Sequence, residues 1–248
     1  MNSPPSLVEG LEDPSQVDLW LARESQWRGP ALLDHFSGVL SADERARIAG
    51  MKFEAGRHQQ FVSRALVRSV LSTYLPAVPP ADWRFERGEH GRPSVARDMI
   101  EAARSLQFNL AHADGLVVMA VGRTPRIGVD VERIDGRVRL AVARRYFSTA
   151  EADALEALPA DQRERRFRRL WTLKEACLKA VGTGIAGGLG GMTFHFEDDG
   201  VRFERASDPD ASRWAFREFE VDGEYLVALA CLAPDAPAVR LRDYLPVT

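Results

Sequence analysis

The sequence predicts an α+β fold made of two similar halves that meet near residue 124. Three observations lead to this prediction. Each half has a capping box that opens a helix, each continues into a long amphipathic helix, and each long helix is followed by a hairpin. The hairpin segments, residues 108–121 and 219–231, are also similar in sequence. We expect a cleft between the two halves, since ligands commonly bind in such clefts.

The elements of the first half, residues 1–124, follow from local signals. Ser41-Ala-Asp-Glu44 is a capping box, in which serine and glutamate satisfy the first backbone N–H groups of a helix. The apolar residues from His58 to Tyr74 keep helical spacing, which predicts a second helix that ends before Pro76. Asp114-Gly115 lies between two apolar runs and predicts the turn of a hairpin.

The second half, residues 125–248, begins with a predicted strand at residues 126–132. Ser148-Thr-Ala-Glu151 is a second capping box. A longer helix is predicted from Arg163 to Val181, where a glycine-rich stretch ends it. Further strands are predicted at residues 192–196, 214–221 and 225–231. The two ends of the chain, residues 1–15 and 234–248, are expected to be mobile or loosely docked.

Composition narrows the class of protein. Of the 248 residues, 45% are hydrophobic and 28% are charged, which excludes a wholly disordered chain. No apolar run approaches the roughly 18–20 residues that cross a bilayer, and residues 1–14 do not resemble a signal peptide. The net charge of −3 is not suited to nucleic acid. Cys177 and Cys231 are predicted to be buried thiols, so we expect a cytoplasmic protein with no membrane or nucleic-acid partner.

An acidic strand is the first candidate for chemistry. In Ile127-Gly-Val-Asp-Val-Glu132, alternation places Asp130 and Glu132 on one face of the strand and the two valines on the other. Neighbouring carboxylates repel each other unless a cation lies between them, and carboxylate oxygens suit a hard cation such as Mg²⁺. The alternative is an acidic edge that faces solvent while the valine face is buried.

A helical stripe is the second candidate. Trp171, Glu175 and Lys179 recur every four residues and therefore share one face of the predicted helix. A Glu–Lys pair in this arrangement can be an ordinary surface pair worth a few tenths of a kcal/mol. The tryptophan indicates instead that the face is partly buried, and buried charges need partners or a metal.

A histidine at a strand end is the third candidate. His112 closes the segment Phe108-Asn-Leu-Ala-His112, beside the predicted hairpin turn. A structural role is one interpretation. A phosphate-binding role requires other basic groups nearby, for which Arg47, Arg64 and Arg92 are candidates.

Taken together, these elements resemble an Sfp-type (surfactin-type) 4'-phosphopantetheinyl transferase. The family's signatures I-G-x-D-x-E and W-[ST]-x-K-E-x-x-x-K correspond to residues 127–132 and 171–179, which are about forty residues apart. Gly91-Arg-Pro93 resembles the family's G-[KR]-P turn, and residues 108–112 resemble F-N-x-S-H. Ala111 departs from the pattern, because the family has a phosphate-binding serine there. One missing hydroxyl costs about 1 kcal/mol of binding.

The resemblance implies an enzyme that transfers the 4'-phosphopantetheine group of coenzyme A to a serine of an apo-carrier protein and releases adenosine 3',5'-bisphosphate. It implies two pseudo-symmetric halves with coenzyme A in the cleft, contacts to the coenzyme in residues 1–124, and the metal site in residues 125–248. The metal would be Mg²⁺ or Mn²⁺. The implied metal ligands are Asp130, Glu132 and Glu175, the implied catalytic residues are Glu175 and Lys179, and the implied coenzyme contacts are Arg47, Arg92, His112, Lys174 and Lys179.

The carrier protein is the implied partner, and the resemblance favours a monomeric enzyme. Arg133–Arg145 starts directly after the acidic strand and mixes five arginines with aliphatic residues. Such a surface suits weak docking of an acidic carrier. A solvated basic loop is the alternative interpretation.

Other coenzyme and nucleotide functions are less consistent with the order of elements. Gly182–Gly187 fits G-x-G-x-x-G, but it follows a helix, whereas a dinucleotide-binding loop follows a strand. Lys179–Gly184 loosely resembles the pyrophosphate loop of acetyltransferases, again with helix and loop in the reverse order. A module that binds a carrier or stores coenzyme without chemistry is the remaining alternative. Metal dependence and nucleotide release would separate these functions.

Overall fold

The computed structural model describes residues 10, 11, 13, 15–88, 91–135, 140–184, 188–197, 200–205, 208–233 and 237–247. The chain divides into two compact units. The first unit comprises Met1–Arg123 together with Ala238–Thr248, and the second comprises Thr124–Pro237. The second unit is therefore inserted between two parts of the first.

The first unit contains helices and strands from both ends of the chain. Its elements are β1 (Val17–Arg23), α1 (Pro30–Ser37), α2 (Ala42–Ala49), α3 (Glu54–Tyr74), β2 (Phe85–Arg87), β3 (Pro93–Val95), α4 (Glu101–Arg104), β4 (Gln107–Ala113), β5 (Leu116–Gly122) and, after the second unit, β11 (Val239–Asp243).

The second unit is continuous in sequence. Its elements are β6 (Ile127–Arg133), α5 (Ala141–Tyr146), α6 (Thr149–Ala157), α7 (Ala160–Val181), β7 (Thr193–Glu197), β8 (Gly200–Glu204), β9 (Trp214–Val221) and β10 (Tyr225–Leu232).

The two units repeat one topology. In the first unit β1 pairs antiparallel with β5, and β5 pairs antiparallel with β4. In the second unit β6 pairs with β10, and β10 pairs with β9, in the same manner. Each unit also has a separate two-stranded hairpin, β2–β3 in the first and β7–β8 in the second. The predicted α+β fold with two similar halves is therefore confirmed.

The core of each unit lies between its sheet and its long helix. In the first unit Leu66 and Val70 of α3 belong to one buried cluster with Met119 of β5. In the second unit Leu173 of α7 belongs to a buried cluster with Ala228 of β10. The central strands β5 and β10 are buried along their whole length. Apolar residues on both faces of these strands explain why they read as continuous hydrophobic runs.

Both predicted capping boxes are present. The Ser41 hydroxyl accepts a hydrogen bond from the backbone N–H of Glu44, and the Glu44 carboxylate accepts one from the backbone N–H of Ser41. Ser148 and Glu151 form the same reciprocal pair at the start of α6. Each box satisfies two backbone donors that the helix leaves without a partner.

The long helices begin slightly earlier than the apolar periodicity predicts. α3 starts at Glu54 and α7 starts at Ala160. α7 ends at Val181, and the next residue, Gly182, has a φ of 81° in the left-handed region. Glycine adopts this conformation without the strain that a side chain would add.

The end of the chain differs from the expectation of a loosely docked tail on the second half. β11 pairs in parallel with β1 and belongs to the first unit. It is held by the fully buried carboxylate of Asp18, which lies 2.7 Å from Nε of Arg240 and 2.8 Å from Nε of Arg242. Tyr74 donates a further hydrogen bond of 2.6 Å to Asp18. A buried carboxylate needs such partners, and here the last strand supplies two of them.

The two cysteines are buried free thiols, as predicted. Burial raises the pKa of Cys177 and of Cys231 to about 12. Both groups are therefore unreactive at neutral pH, since the thiolate is the nucleophile. Among the helices that the structure describes, none combines the length and apolar character needed to cross a membrane.

Candidate active site

Gly128 brings the acidic strand β6 and the helix α7 into backbone contact. A Cβ atom at Gly128 would lie 2.1 Å from the carbonyl oxygen of Ala176 and 2.4 Å from the backbone nitrogen of Ala180. Asp130 lies two residues further along the strand, on the same side of β6 as Gly128. The glycine of the acidic motif therefore allows α7 to approach the carboxylates.

Both faces of β6 are buried. Val129 and Val131 are buried on one face, as expected. Asp130, on the face toward α7, is only 6% exposed. The alternative of an acidic edge open to solvent is therefore wrong for Asp130, because α7 covers that face.

Lys179 of α7 forms an ion pair with the buried carboxylate. Its Nζ donates a hydrogen bond of 2.6 Å to Oδ1 of Asp130. The Lys179 side chain remains 30% exposed, while that of Asp130 is 9% exposed. An ammonium that is partly exposed beside a buried carboxylate can also bind an anion from solvent.

Glu175 is a carboxylate with an unusual environment. Burial raises the pKa of Glu175 above its ordinary value, and the charge of Asp130 raises it further, while Lys179 opposes the shift. Its Oε1 atom is buried and has no hydrogen-bond partner among the described residues. A carboxylate of raised pKa with a free buried oxygen can accept a proton or bind a cation.

Glu132 completes the set of carboxylates. Burial and the charge of Asp130 raise its pKa, while Arg168 and Lys179 oppose the shift. Trp171 also lowers the pKa of Glu132, and its ring stacks on Phe167. The tryptophan of the helical stripe therefore lies near one carboxylate of the strand.

The donor chemistry of this site fits a hard cation. Asp130, Glu132 and Glu175 supply carboxylate oxygens whose charges repel one another, and a cation would relieve this repulsion. Within the described part of the chain, no group of three or more His, Cys, Asp or Glu side chains is already arranged around one metal position. The three carboxylates are therefore neighbours that do not form a closed set of ligands.

Lys174 does not lie where a coenzyme contact would be. Its side chain is completely buried, and Nζ lies 2.7 Å from Oε2 of Glu151. The ammonium also donates hydrogen bonds to the carbonyl oxygens of Leu189 and Met192. This placement differs from the coenzyme-binding role that the resemblance implied for Lys174, because a ligand in solvent cannot reach an ammonium enclosed in the core.

A basic cavity of about 630 Å³ lies in the first unit, between α2, α3 and the β2–β3 hairpin. Aromatic residues Trp83 and Phe85 form part of its wall. The cavity is also lined by five arginines, namely Arg47, Arg64, Arg68, Arg84 and Arg87, and by the three carboxylates Asp43, Glu44 and Glu86. An apolar wall with several cations is suited to a nucleotide phosphate.

Three of these arginines form no direct ion pair with a described acidic side chain. Arg47, Arg64 and Arg87 have no acidic side chain within 4.0 Å among the described residues. Burial lowers the pKa of Arg64, the charge of Glu44 opposes that shift, and the charges of Arg87, Arg47 and Arg68 lower the pKa further. Crowded cations of this kind favour a bound anion. The sequence pattern missed Arg87, because the cavity is assembled from elements that are far apart along the chain.

Arg92 and His112 also belong to the first unit. Arg92 is half-buried on the turn of the β2–β3 hairpin, and burial lowers its pKa. Gly91, with φ of 81°, supplies the left-handed residue of that turn. His112 is exposed near the end of β4, whereas Ala111 is 3% exposed and points inward. Neither Arg92 nor His112 is among the described residues that line the basic cavity.

The basic stretch after β6 is partly neutralised within its own unit. Arg133 pairs with Asp135 at 2.8 Å, and Arg144 forms ion pairs with Asp153 and Glu156. Arg137 and Arg139, at the centre of the predicted docking patch, lie outside the described residues. The described arginines therefore give less free positive charge than their number indicates.

The fold and the site define a two-unit α+β protein with a carboxylate–lysine site in its second unit and a basic cavity in its first. The model of the 4'-phosphopantetheinyl transferase superfamily matches residues 126–230. The model of the 4'-phosphopantetheinyl transferase N-terminal region matches residues 20–124. Together these matches cover both halves of the chain.

Curated relatives agree with the family models. The chain is 35% identical over 182 residues to the 4'-phosphopantetheinyl transferase HetI of Nostoc, covering 71% of this chain and 76% of the relative. It is 30% identical to psf-1 of Bacillus pumilus, covering 82% and 84%, and 30% identical to Sfp of Bacillus subtilis, covering 82% and 87%. The chain therefore belongs to the 4'-phosphopantetheinyl transferase superfamily.

Proposed function

We propose that this protein is an Sfp-type enzyme that transfers 4'-phosphopantetheine from coenzyme A to a serine of an apo-carrier protein, with Mg²⁺ or Mn²⁺ as cofactor. The observation that carries the proposal is the meeting of β6 and α7. Asp130 and Glu132 on the strand lie beside Glu175 and Lys179 on the helix. This arrangement combines cation-binding oxygens, a proton acceptor and an ammonium in one place.

Glu175 is the proposed general base. The carrier's serine hydroxyl attacks the β-phosphorus of coenzyme A, and its proton passes to Glu175, directly or through a water. The bond from that phosphorus to the bridging oxygen breaks. Adenosine 3',5'-bisphosphate leaves with the bonding electron pair. The raised pKa of Glu175 supports this role, because a base is most effective when its pKa approaches the working pH.

Lys179 is proposed to stabilise or protonate the leaving phosphate. Its ammonium is held by Asp130 at 2.6 Å and remains partly open to solvent. Asp130, Glu132 and Glu175 would hold the cation, which neutralises pyrophosphate charge and stabilises the charge that develops at the reacting phosphorus.

The basic cavity is the proposed site for the nucleotide end of coenzyme A. Arg47 and Arg64 would bind the phosphates, since neither has an acidic partner within ion-pair distance among the described residues. Arg92 and His112 stay proposed contacts to the coenzyme. In this proposal the first unit binds the coenzyme and the second unit carries the chemistry. Carrier docking on residues 133–145 and a monomeric state also stay predictions.

A transfer assay tests the proposed function. The protein is incubated with coenzyme A, Mg²⁺ and several apo-carriers, and intact masses of the carriers are recorded. We expect one phosphopantetheine per carrier, released nucleotide in equal amount, and no transfer in excess chelator. Glu132→Gln should lower the rate by about 100-fold or more, as expected for loss of a metal ligand.

Thermal unfolding with and without Mg²⁺ shows whether Glu132→Gln loses metal binding or loses the fold. Mg²⁺ should raise the Tm of the wild type, because a ligand of the folded state stabilises it, and it should raise the Tm of Glu132→Gln much less. Full transfer in chelator, or no transfer to any carrier despite coenzyme binding, would contradict the proposal.

A further inference from the structure

The buried pair Lys174–Glu151 joins three parts of the second unit. Lys174 is on α7, Glu151 is the capping-box residue of α6, and the Lys174 ammonium donates to Leu189 and Met192 in the segment that follows α7. The second oxygen of Glu151 accepts a hydrogen bond of 2.9 Å from the backbone N–H of Phe194 at the start of β7. The exposed fractions of the two side chains are 0% and 1%.

The polar groups of this pair are satisfied inside the protein. The Lys174 ammonium has two carbonyl acceptors and a carboxylate, which uses all three of its donors. It also lies 5.4 Å from the ring centroid of Phe147 and 5.8 Å from that of Phe194. No donor is left for a coenzyme phosphate.

The first unit contains an equivalent contact, between its own long helix α3 and its own capping-box glutamate. Arg68 of α3 lies 2.8 Å from Oε2 of Glu44, which is the capping-box residue of α2. Arg68 donates to the carbonyl oxygens of residues 80, 81 and 83 in the segment that follows α3. It also lies over the ring of Phe85, the first residue of the following strand. The repeated topology thus repeats this contact as well.

We infer that Lys174 is a positioning residue, which holds α7 in the rotation that turns Glu175 toward β6. The inference rests on the proposed function of Glu175. Adjacent residues of a helix point about 100° apart, so anchoring Lys174 toward α6 fixes the direction of Glu175. On the other side of the helix, the contact with Gly128 fixes its distance from the strand.

The test compares Lys174→Met, Glu151→Gln and the variant that carries both changes. Each single change leaves a buried charge or dipole without its partner, so Lys174→Met should lower Tm by roughly 10 °C or more. The double change removes both charges at similar volume. The single amide oxygen of glutamine can accept from the backbone N–H of Ser148 or of Phe194, but not from both. The Tm of the double variant should therefore lie below that of the wild type but well above the value expected from adding the two single losses. Lys52→Met, at an exposed lysine, is the matched control.

Kinetics of the double variant decide between positioning and stability alone. We expect kcat to stay at least about 10-fold below the wild type, because the bonds from Lys174 to Leu189 and Met192 are still absent, while KM for coenzyme A changes less than about 2-fold. Recovery of kcat together with Tm would overturn positioning. A large rise in KM at unchanged Tm would make Lys174 a coenzyme contact and would also overturn it.

Hydrogen exchange gives a readout that does not depend on activity. Peptides covering α7 and residues 189–194 should exchange faster in the double variant than in the wild type when each protein is measured at the same number of degrees below its own Tm. Unchanged exchange in these peptides would contradict the inference. If the wild-type protein fails to modify any carrier, the proposed function fails, while exchange and the non-additive Tm values still test the contact itself.

Discussion

At the residue scale, the partly buried carboxylate of Glu175 lowers the free energy of unfolding when it is ionised. Glu175 is a carboxylate whose folded-state pKa is raised by burial and by Asp130. A group of this kind favours folding while it is protonated. That contribution is present below its unfolded pKa and is lost as the pH rises through the folded pKa. Above the folded-state pKa, the ionised Glu175 therefore destabilises the fold unless a cation binds.

Glu175→Gln should accordingly be more stable than the wild type at neutral pH in chelator, and inactive in transfer. The stability difference should shrink as the pH falls below about 4, where wild-type Glu175 is protonated in both states. Urea unfolding at a series of pH values measures this. Asp153→Asn, at an exposed carboxylate, is the control. If Glu175→Gln is less stable than the wild type at pH 7, the predicted sign of the stability change is wrong.

The charged residues also show where sequence reasoning ends. Strand and helix periodicity could place Asp130 with Glu132 on one strand face and Glu175 with Lys179 on one helix face. That the two pairs meet in one site was implied by the family resemblance. The environment of Lys174 could not be predicted in this way. Its partner Glu151 is recognisable as a local cap, but the second role of that carboxylate depends on tertiary packing.

At the element scale, the contact between β6 and α7 sets the geometry of the site. Gly128 has no room for a side chain, since a Cβ atom would meet the backbone of α7. Backbone atoms cannot give way as a flexible side chain can. Any substitution must therefore move the strand or the helix, and with it the distance between their carboxylates.

Gly128→Ala should destabilise the protein by about 3 kcal/mol, the upper part of the usual range for overpacking. It should also raise the Mg²⁺ concentration needed for half-maximal Tm shift. Gly191→Ala is the matched control, because a Cβ there has nothing within 4 Å, and it should be nearly neutral. If the two substitutions lower the free energy of unfolding by the same amount, the contact between β6 and α7 at Gly128 is not rigid.

The elements differ in how well local pattern specifies them. The capping boxes, the long helices and the strands β4, β5, β9 and β10 could be predicted, because caps and apolar runs are local signals. The strands β1, β3, β8 and β11 were missed. β11 in particular has alternating arginines, which resemble a polar tail until the buried Asp18 is known. That partner lies more than two hundred residues away along the chain.

At the scale of the whole molecule, the chain leaves the first unit after β5 and returns to it as β11. Asp18 holds β11 in the first unit through Arg240 and Arg242. Burial alone would raise its pKa, but hydrogen bonds from Arg240 and Tyr74 and the charge of Arg242 hold the pKa below its ordinary value. A lowered pKa contributes stability above the unfolded value of about 3.9, which is lost as the pH falls through the folded pKa.

Asp18→Ala should therefore destabilise the first unit by about 3–5 kcal/mol at pH 7, as expected when one member of a buried ion pair is removed. The loss should be smaller at pH 3. Hydrogen exchange of peptides from β1 and β11 can follow this unit by itself, whereas tryptophans lie in both units. Asp243→Ala, at an exposed ion pair with Arg23, should change stability by less than about 1 kcal/mol. A similar loss for both variants would contradict the anchoring role.

The return of the chain has a consequence for synthesis on the ribosome. The second unit is one continuous segment, and all of it has been translated before β11 emerges. One edge of β1, although translated early, stays unpaired until β11 has been translated. An open strand edge can pair with other chains, and incompletely folded chains aggregate. Nascent chains that stall after residue 237 should therefore depend on chaperones more than the finished protein does.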